Sequence, residues 1–344
     1  RDRSVSRGLG DVYKRQRQDR TSYDSAEKRN VVLNNYVSQC VHNISGEQIS
    51  VDISTLVQNL RERADWYTGL IRTQEWVTDE NGNGWFNGYY DNHGRPVEGK
   101  RDNHVRMMLT GQVFSVMGNV ADDAQTAAIT KSADLYLYKK EVGGYRLNTD
   151  FKEEKFDLGR MFGFAYGEKE NGAVFSHMTV MYANALYQRG FVKEGYRALY
   201  TLLEQAMNTP VSLMYPGIPE YFDNQGRGLY AYLTGAASWY MLTMITEVFG
   251  VRGDLGDLVI APALMPEQYN ENGQASLTME FAGRKLEICI CNPEKKLPSE
   301  YKIKTVWCDE KEMKNEQSTC VRIDRELLEK LSVKETHRIK VELM

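Results

Sequence analysis

Between residues 101 and 250 the apolar positions recur at intervals of three and four. Val105, Met108, Leu109, Val113, Val116 and Met117 fall on one helical face, and Gly118 supplies a stop. An alanine-rich stretch from Asp122 to Tyr138 follows, with Asp122 or Asp123 placed to cap it. Met178, Met181, Tyr182, Ala185 and Leu186 predict a helix ending at Gly190, and Leu199, Leu202, Leu203, Ala206 and Met207 predict the next. Leu233, Ala236, Ala237, Tyr240, Met241, Met244, Ile245, Val248 and Phe249 form the most regular stripe, ending at Gly250. Short connections between such helices predict antiparallel helical hairpins.

After Gly256 the period changes to two. Leu277, Met279 and Phe281 alternate, then Leu286, Ile288 and Ile290, with Ala282-Gly283-Arg284 as the turn. Tyr301, Ile303, Thr305 and Trp307 alternate again, as do Ile339, Val341 and Leu343. The pattern divides the chain into a helical region, 17–256, and an antiparallel β module, 257–344, joined near Pro262 and Pro266.

The composition is globular: 344 residues, 42% hydrophobic and 26% charged. No apolar run approaches the roughly 20 residues a bilayer span needs, so no membrane partner is expected. A formal net charge of −4 argues against non-specific nucleic-acid binding. The five cysteines are odd in number and form no CxxC pair, which favours reduced thiols in a cytoplasmic protein over a disulfide framework or a metal site. Residues 6–16, SRGLGDVYKRQ, back-translate onto a widely used transposon-type sequencing adapter. Residues 1–16 are therefore expected to be an assembly artefact and the remainder the C-terminal part of a longer protein. Without the five basic and two acidic residues of that stretch the net charge is −7.

Three segments between the helices carry candidate chemistry. In the first, Asp79, Asn81, Asn83 and Gly84 fit the start of a calcium loop, but the twelfth position is Tyr90 rather than a bidentate Glu, so a Gly/Asn turn is expected. Trp85, Phe86, Tyr89 and Tyr90 then flank one carboxylate, Asp91. An acid beside aromatic rings can titrate high, as a general acid must; an Asp-Asn turn closing the loop is the structural alternative. The second segment, Tyr166 to His177, places Glu168, Lys169, Glu170 and Asn171 between glycines and delivers His177 to a helix start, as an anion ligand or a cap. In the third, Thr234 and Gly235 open a helix with amides free for an oxyanion, or with Thr234 as an ordinary N-cap.

Taken together, the segments resemble glycoside hydrolase family 94, the inverting β-glucoside phosphorylases. Lys169-Glu170-Asn171-Gly172-Ala173 with His177 matches the family's K-E-N-G-G…H segment, and Leu233-Thr234-Gly235-Ala236-Ala237-Ser238-Trp239 matches L-T-G-x-A-x-W. The tail from Leu258-Val259-Ile260-Ala261-Pro262 through Phe281-Ala282-Gly283 to Asn292-Pro293 is similar to the family's C-terminal β domain. Where cellobiose-type members carry W-N-D-G, this chain has Trp85-Phe86-Asn87-Gly88-Tyr89-Tyr90-Asp91, which looks like the branch acting on β-1,2-linked glucans.

The resemblance implies a mainly α protein: the C-terminal part of an (α/α)6 toroid followed by an antiparallel β-sandwich or jelly-roll-like domain. It implies phosphorolysis of β-1,2-linked gluco-oligosaccharides to α-D-glucose 1-phosphate, with inorganic phosphate as co-substrate, no cofactor, and a homodimer as the assembly. Asp91 would be the acid. His177, Thr234, the Gly235 amide and Arg95, with Arg101 as its competitor, would cradle phosphate. Glu170 and Asn171 would hold sugar hydroxyls, and Trp85 or Tyr90 would stack on a sugar ring. A related β-glucoside phosphorylase, an inverting hydrolase of the same fold, and a non-catalytic carbohydrate-binding fragment are the alternatives.

Overall fold

A computed structural model describes residues 25–40, 50–101, 103–152, 158–215, 217–231, 235–315 and 317–344. Residues 1–16, with the adapter-like stretch, lie outside the described residues, as does Thr234. The chain divides into two compact units, residues 1–68 and 69–344.

The first unit holds α1 (Ala26–Cys40) and most of α2 (Ile53–Gln74). The α2 start is fixed by Asp52, whose Oδ1 accepts the Thr55 amide at 2.8 Å and the hydroxyls of Ser54 and Thr55. Those donors hold the Asp52 carboxyl down at about 2. Val31, Leu33, Ile53 and Leu60 on these helices are exposed. No described helix is long and apolar enough to cross a membrane.

In the second unit, β1 (Trp76–Thr78) pairs antiparallel with β2 (Gly84–Phe86). The turn between them is the segment that resembled a calcium loop. Asp79 accepts the amides of Asn81 at 2.8 Å and Asn83 at 2.9 Å, together with the Tyr136 hydroxyl. Next come β3 (Gly99–Arg101), β4 (His104–Arg106) and α3 (Leu109–Met117). The helix starts four residues later than its apolar spacing suggests, because Val105 pairs across the β3–β4 hairpin. Then α4 (Asp123–Tyr136) begins on a capping box in which Asp122 accepts the Gln125 amide and the Gln125 side chain accepts the Asp122 amide. A short hairpin, β5 (Tyr138–Lys139) and β6 (Gly144–Tyr145), leads towards β7 (Val174–Phe175) and α5 (Ser176–Gln188).

Helix α5 is the centre of the helical region. Val180, Tyr182, Ala183, Ala185 and Leu186 on it are fully buried, and it packs against α3, α6 (Val192–Met207) and, beyond α7 (Thr209–Ser212), β8 (Tyr221–Phe222) and β9 (Gly228–Leu229), α8 (Gly235–Thr243). Helix α8 continues through a π-helical turn at Met244–Val248.

The C-terminal strands form two sheets. β10 (Val251–Asp254) and β11 (Asp257–Ile260) join the later β16 (Val321–Ile323) in one. The other runs β12 (Gln274–Phe281), β13 (Arg284–Cys291), β17 (Thr336–Leu343), β14 (Ile303–Cys308) and β15 (Lys311–Met313). Between β16 and β17 lies α9 (Arg325–Lys330). The expectation of an antiparallel module is corrected at one pairing: β13 and β17 are parallel, all others here antiparallel. Alternation of side chains identifies a strand but carries no direction, and the long connection through β14–β16 and α9 lets the chain return in the same sense. Cys289 and Cys291 share a face of β13 with their sulfurs 3.7 Å apart and unbridged. One continuous core runs from Val113, Ile129, Leu186 and Leu202 in the helices to Leu258, Ile288, Val306 and Val341 in the sheets.

Candidate active site

Strands β7, β8 and β9 form a small sheet that brings the Tyr166–His177 segment beside residues 220–230. The loop ahead of β7 is tightly wound: Gly167 (φ 94), Lys169 (φ 46) and Gly172 (φ 75) all occupy the left-handed region. A side chain at 172 would run into the Tyr166 ring. Two residues from the β6 side hold this shape. Arg146, nine-tenths buried and stacked on the Tyr166 ring at 5.3 Å, donates to the Gly172 carbonyl at 2.6 Å. Asn148 accepts the Gly172 amide at 2.8 Å and donates to Asn171 Oδ1 at 3.1 Å.

The loop presents its charged groups unequally. Glu168 accepts the Tyr221 hydroxyl at 3.1 Å, which with burial pushes that phenol upward. Lys169 lies 4.0 Å over the Tyr230 ring. Glu170 sits 3.5 Å from Arg160, and its Oε2 is buried without a hydrogen-bond partner among the described residues. Asn171, expected to hold sugar hydroxyls, instead uses both ends of its amide on the protein: it donates to the Phe164 carbonyl at 2.8 Å and accepts from Asn148. Of that pair, Glu170 keeps the available oxygen.

His177 is the second residue of α5, and its ring makes no capping hydrogen bond among the described residues. It lies 5.8 Å from the Trp239 ring and directly against Gly235, the first residue of α8. A Cβ at Gly235 would lie 2.8 Å from His177 Cε1 and Nδ1, so only glycine permits this approach. Burial pushes the imidazole below its ordinary value, and Nε2 has no partner among the described residues. The two distant segments read from sequence as Lys169–His177 and Leu233–Trp239 thus meet at His177, Gly235 and Trp239.

The loop between β2 and β3 carries the remaining candidates. Asp91 Oδ1 accepts the amides of His93 at 2.8 Å and Arg95 at 2.9 Å, and Oδ2 accepts Arg95 Nε at 2.7 Å. The Arg95 amide and guanidinium hold the Asp91 carboxyl below the usual carboxylate range. This reverses the shift expected from aromatic neighbours, for a geometric reason: Trp85 and Phe86 face the core, fully buried, with Trp85 edge-on to Tyr136 at 5.7 Å. Trp85 is therefore corrected from a sugar platform to a core residue. Tyr90 is half exposed; its hydroxyl donates to Glu75 at 2.7 Å, and burial with that carboxylate pushes it up to about 12. Arg95, expected on phosphate, is the counter-ion of Asp91, while Arg101 donates to the Pro96 carbonyl at 3.0 Å.

Sequence reasoning passed over Arg146, Asn148, Glu75 and Glu98. Glu98 alone carried a local signal, a lone carboxylate following Pro96 and Val97.

Residues 44–250 match the glycosyl hydrolase 94 superfamily, catalytic domain, and the chain belongs to that superfamily. Among curated proteins it is similar to a cellobionic acid phosphorylase of Neurospora crassa, 27% identical over 58% of this chain and 27% of that protein. It is also similar to a solabiose phosphorylase of Paenibacillus borealis, 23% identical over 63% of this chain and 28% of that one. An N,N'-diacetylchitobiose phosphorylase of Vibrio furnissii is 26% identical over 56% of this chain and 23% of its own length. The chain thus spans less than a third of the length of these relatives.

Proposed function

We propose that the protein phosphorolyses β-1,2-linked gluco-oligosaccharides with inversion, releasing α-D-glucose 1-phosphate. The observation that carries this reading is the His177 imidazole, its Nε2 without a partner among the described residues, seated against the glycine that opens α8. A neutral imidazole N–H and the free amides of a helix start are donors suited to an oxyanion in a partly buried site. The relatives support the reaction class, since each is named a phosphorylase although their named sugars differ. The β-1,2 linkage rests on the Trp85–Asp91 segment alone.

In this mechanism phosphate needs no base, because it arrives as an anionic nucleophile. Held by His177, Gly235 and Thr234, one of its oxygens forms the bond to the anomeric carbon as the glycosidic bond breaks on the opposite face. Asp91 donates the proton to the departing sugar oxygen. Its carboxyl is paired to Arg95 and held below the usual carboxylate range, so catalysis requires that pair to open and the carboxyl to take up a proton. Arg95 is two-thirds exposed, and opening of the pair would release its guanidinium for the phosphate. Glu170 Oε2 accepts a sugar hydroxyl, and Tyr90 offers the exposed ring. The helical region would be the C-terminal share of an (α/α)6 toroid.

The test is Asp91→Asn, which should lower phosphate-dependent turnover of sophoro-oligosaccharides by about 100-fold or more. Sugar release from the wild-type protein at full rate without phosphate would transfer the reading to an inverting hydrolase.

A further inference from the structure

Glu98 has no part in the roles above, yet it is a wholly buried carboxyl group, with no exposed surface. No cation pairs with it among the described residues. Its two oxygens instead accept backbone amides from different segments, Gly88 and Met108, each at 2.8 Å. Burying a carboxylate without a counter-ion is unfavourable, and an apolar side chain here would avoid that penalty. What the carboxyl group adds is a bridge: Gly88 lies near the start of the loop that carries Tyr90 and Asp91, and Met108 immediately precedes α3.

The surrounding contacts close the same loop. The Glu98 amide donates to Asn87 Oδ1 at 3.1 Å, joining the two ends of the segment 87–98. Asn87 Nδ2 in turn donates to Glu75 Oε2 at 3.0 Å, and the Tyr90 hydroxyl donates to Glu75 Oε1. Gly88 also packs on Gly111 of α3 so closely that a Cβ at 88 would lie 2.9 Å from the Gly111 Cα. The loop is therefore tied at its base and pressed against the helix, while its tip, with Arg95, is exposed.

We propose that Glu98 is a positioning residue: by bridging Gly88 to the start of α3 it fixes the 87–98 loop and so determines where Tyr90 and Asp91 stand. The catalytic part of this inference rests on the reading of Asp91 as the acid; the structural part does not.

Hydrogen–deuterium exchange on the intact protein, with Glu98→Gln and Glu98→Leu beside it, tests both parts. Glu98→Gln preserves size but turns an NH2 group towards one of the two amides, removing one bond; Glu98→Leu removes both. Exchange over residues 87–96 should quicken about tenfold for the first and more for the second, while residues 176–188 of α5 stay as slow as in wild type. With sophoro-oligosaccharide and inorganic phosphate, kcat should fall at least tenfold, and the KM for phosphate should rise by less than that, since His177 and Gly235 lie on other segments and Arg95 alone of the phosphate candidates rides on this loop. Unchanged exchange over 87–96, equal loosening of α5, or faster loop exchange with kcat intact would each overturn the proposal. Should a variant not fold, the wild-type amides of Gly88 and Met108 decide the structural part: slow exchange matching α5 supports the bridge and free exchange overturns it. If wild type has no phosphate-dependent activity, the Asp91 reading fails, and the exchange data still decide whether the bridge exists.

Discussion

Two carboxylates in one loop, seven positions apart, are pushed in opposite directions. Asp91 accepts three hydrogen bonds within its own turn and is held down; Glu98 is wholly buried and pushed up to about 8. The second shift links stability to pH. Between the ordinary value of 4.5 and about 8, the folded protein retains a proton on Glu98 that the unfolded chain has released. Its contribution is complete below pH 4.5 and falls by roughly 1.4 kcal/mol per pH unit as the pH rises to 8. Denaturant unfolding of wild type and Glu98→Gln at pH 5 and pH 8 should therefore show a steeper loss in wild type; parallel losses would contradict the assignment. His177 acts in the other direction, since its imidazole is pushed below the ordinary value and a proton taken up there destabilises the fold. The shift at Glu98 was not legible in the sequence because it comes from burial that only the fold creates, against the opposing pull of two amides ten residues away on either side. Asp91 was legible as a candidate, and its turn was one of the two readings its spacing allowed.

At the scale of elements, the loop before β7 shows what motif reading captures and what it leaves out. Lys169-Glu170-Asn171-Gly172 stands out in the sequence, whereas the residues that shape it lie more than twenty positions upstream, with no periodic signal linking them. Asn148 is the clearest case. Its side chain makes three hydrogen bonds, to Gly172, Asn171 and the Thr149 carbonyl, while fully buried. Asn148→Ala should destabilise the protein by about 2–3 kcal/mol in urea unfolding and speed exchange over residues 166–172; a change below 0.5 kcal/mol would contradict this account. Helix periodicity located α5 and α6 closely, α6 burying Ala198, Leu199, Leu202 and Ala206 on one face, and the alanine-rich run with its Asp cap located α4. Periodicity misplaced the start of α3, where Val105 has helical spacing but strand pairing. The parallel β13–β17 pair was equally invisible, since strand direction is set by the connection rather than by alternation.

Over the whole second unit, helices and sheets share one core, so the His177–Gly235 contact is set by the packing of α5 against α8 rather than by loop sequence alone. This explains why the two motifs could be named from sequence but their meeting could not. It also explains why Trp85 was misjudged: an aromatic beside a carboxylate in sequence can face either way, and here the core takes it. Superfamily membership follows from residues 44–250, while reaction and linkage remain the proposal made above. The central claim is that phosphate, not water, accepts the glucosyl group. Incubating the protein with sophorotriose and inorganic phosphate and following the products by phosphorus and proton NMR tests it directly. The account predicts α-D-glucose 1-phosphate accumulating in step with sugar shortened by one residue, and no product when phosphate is omitted; free glucose formed at the same rate with and without phosphate would contradict it.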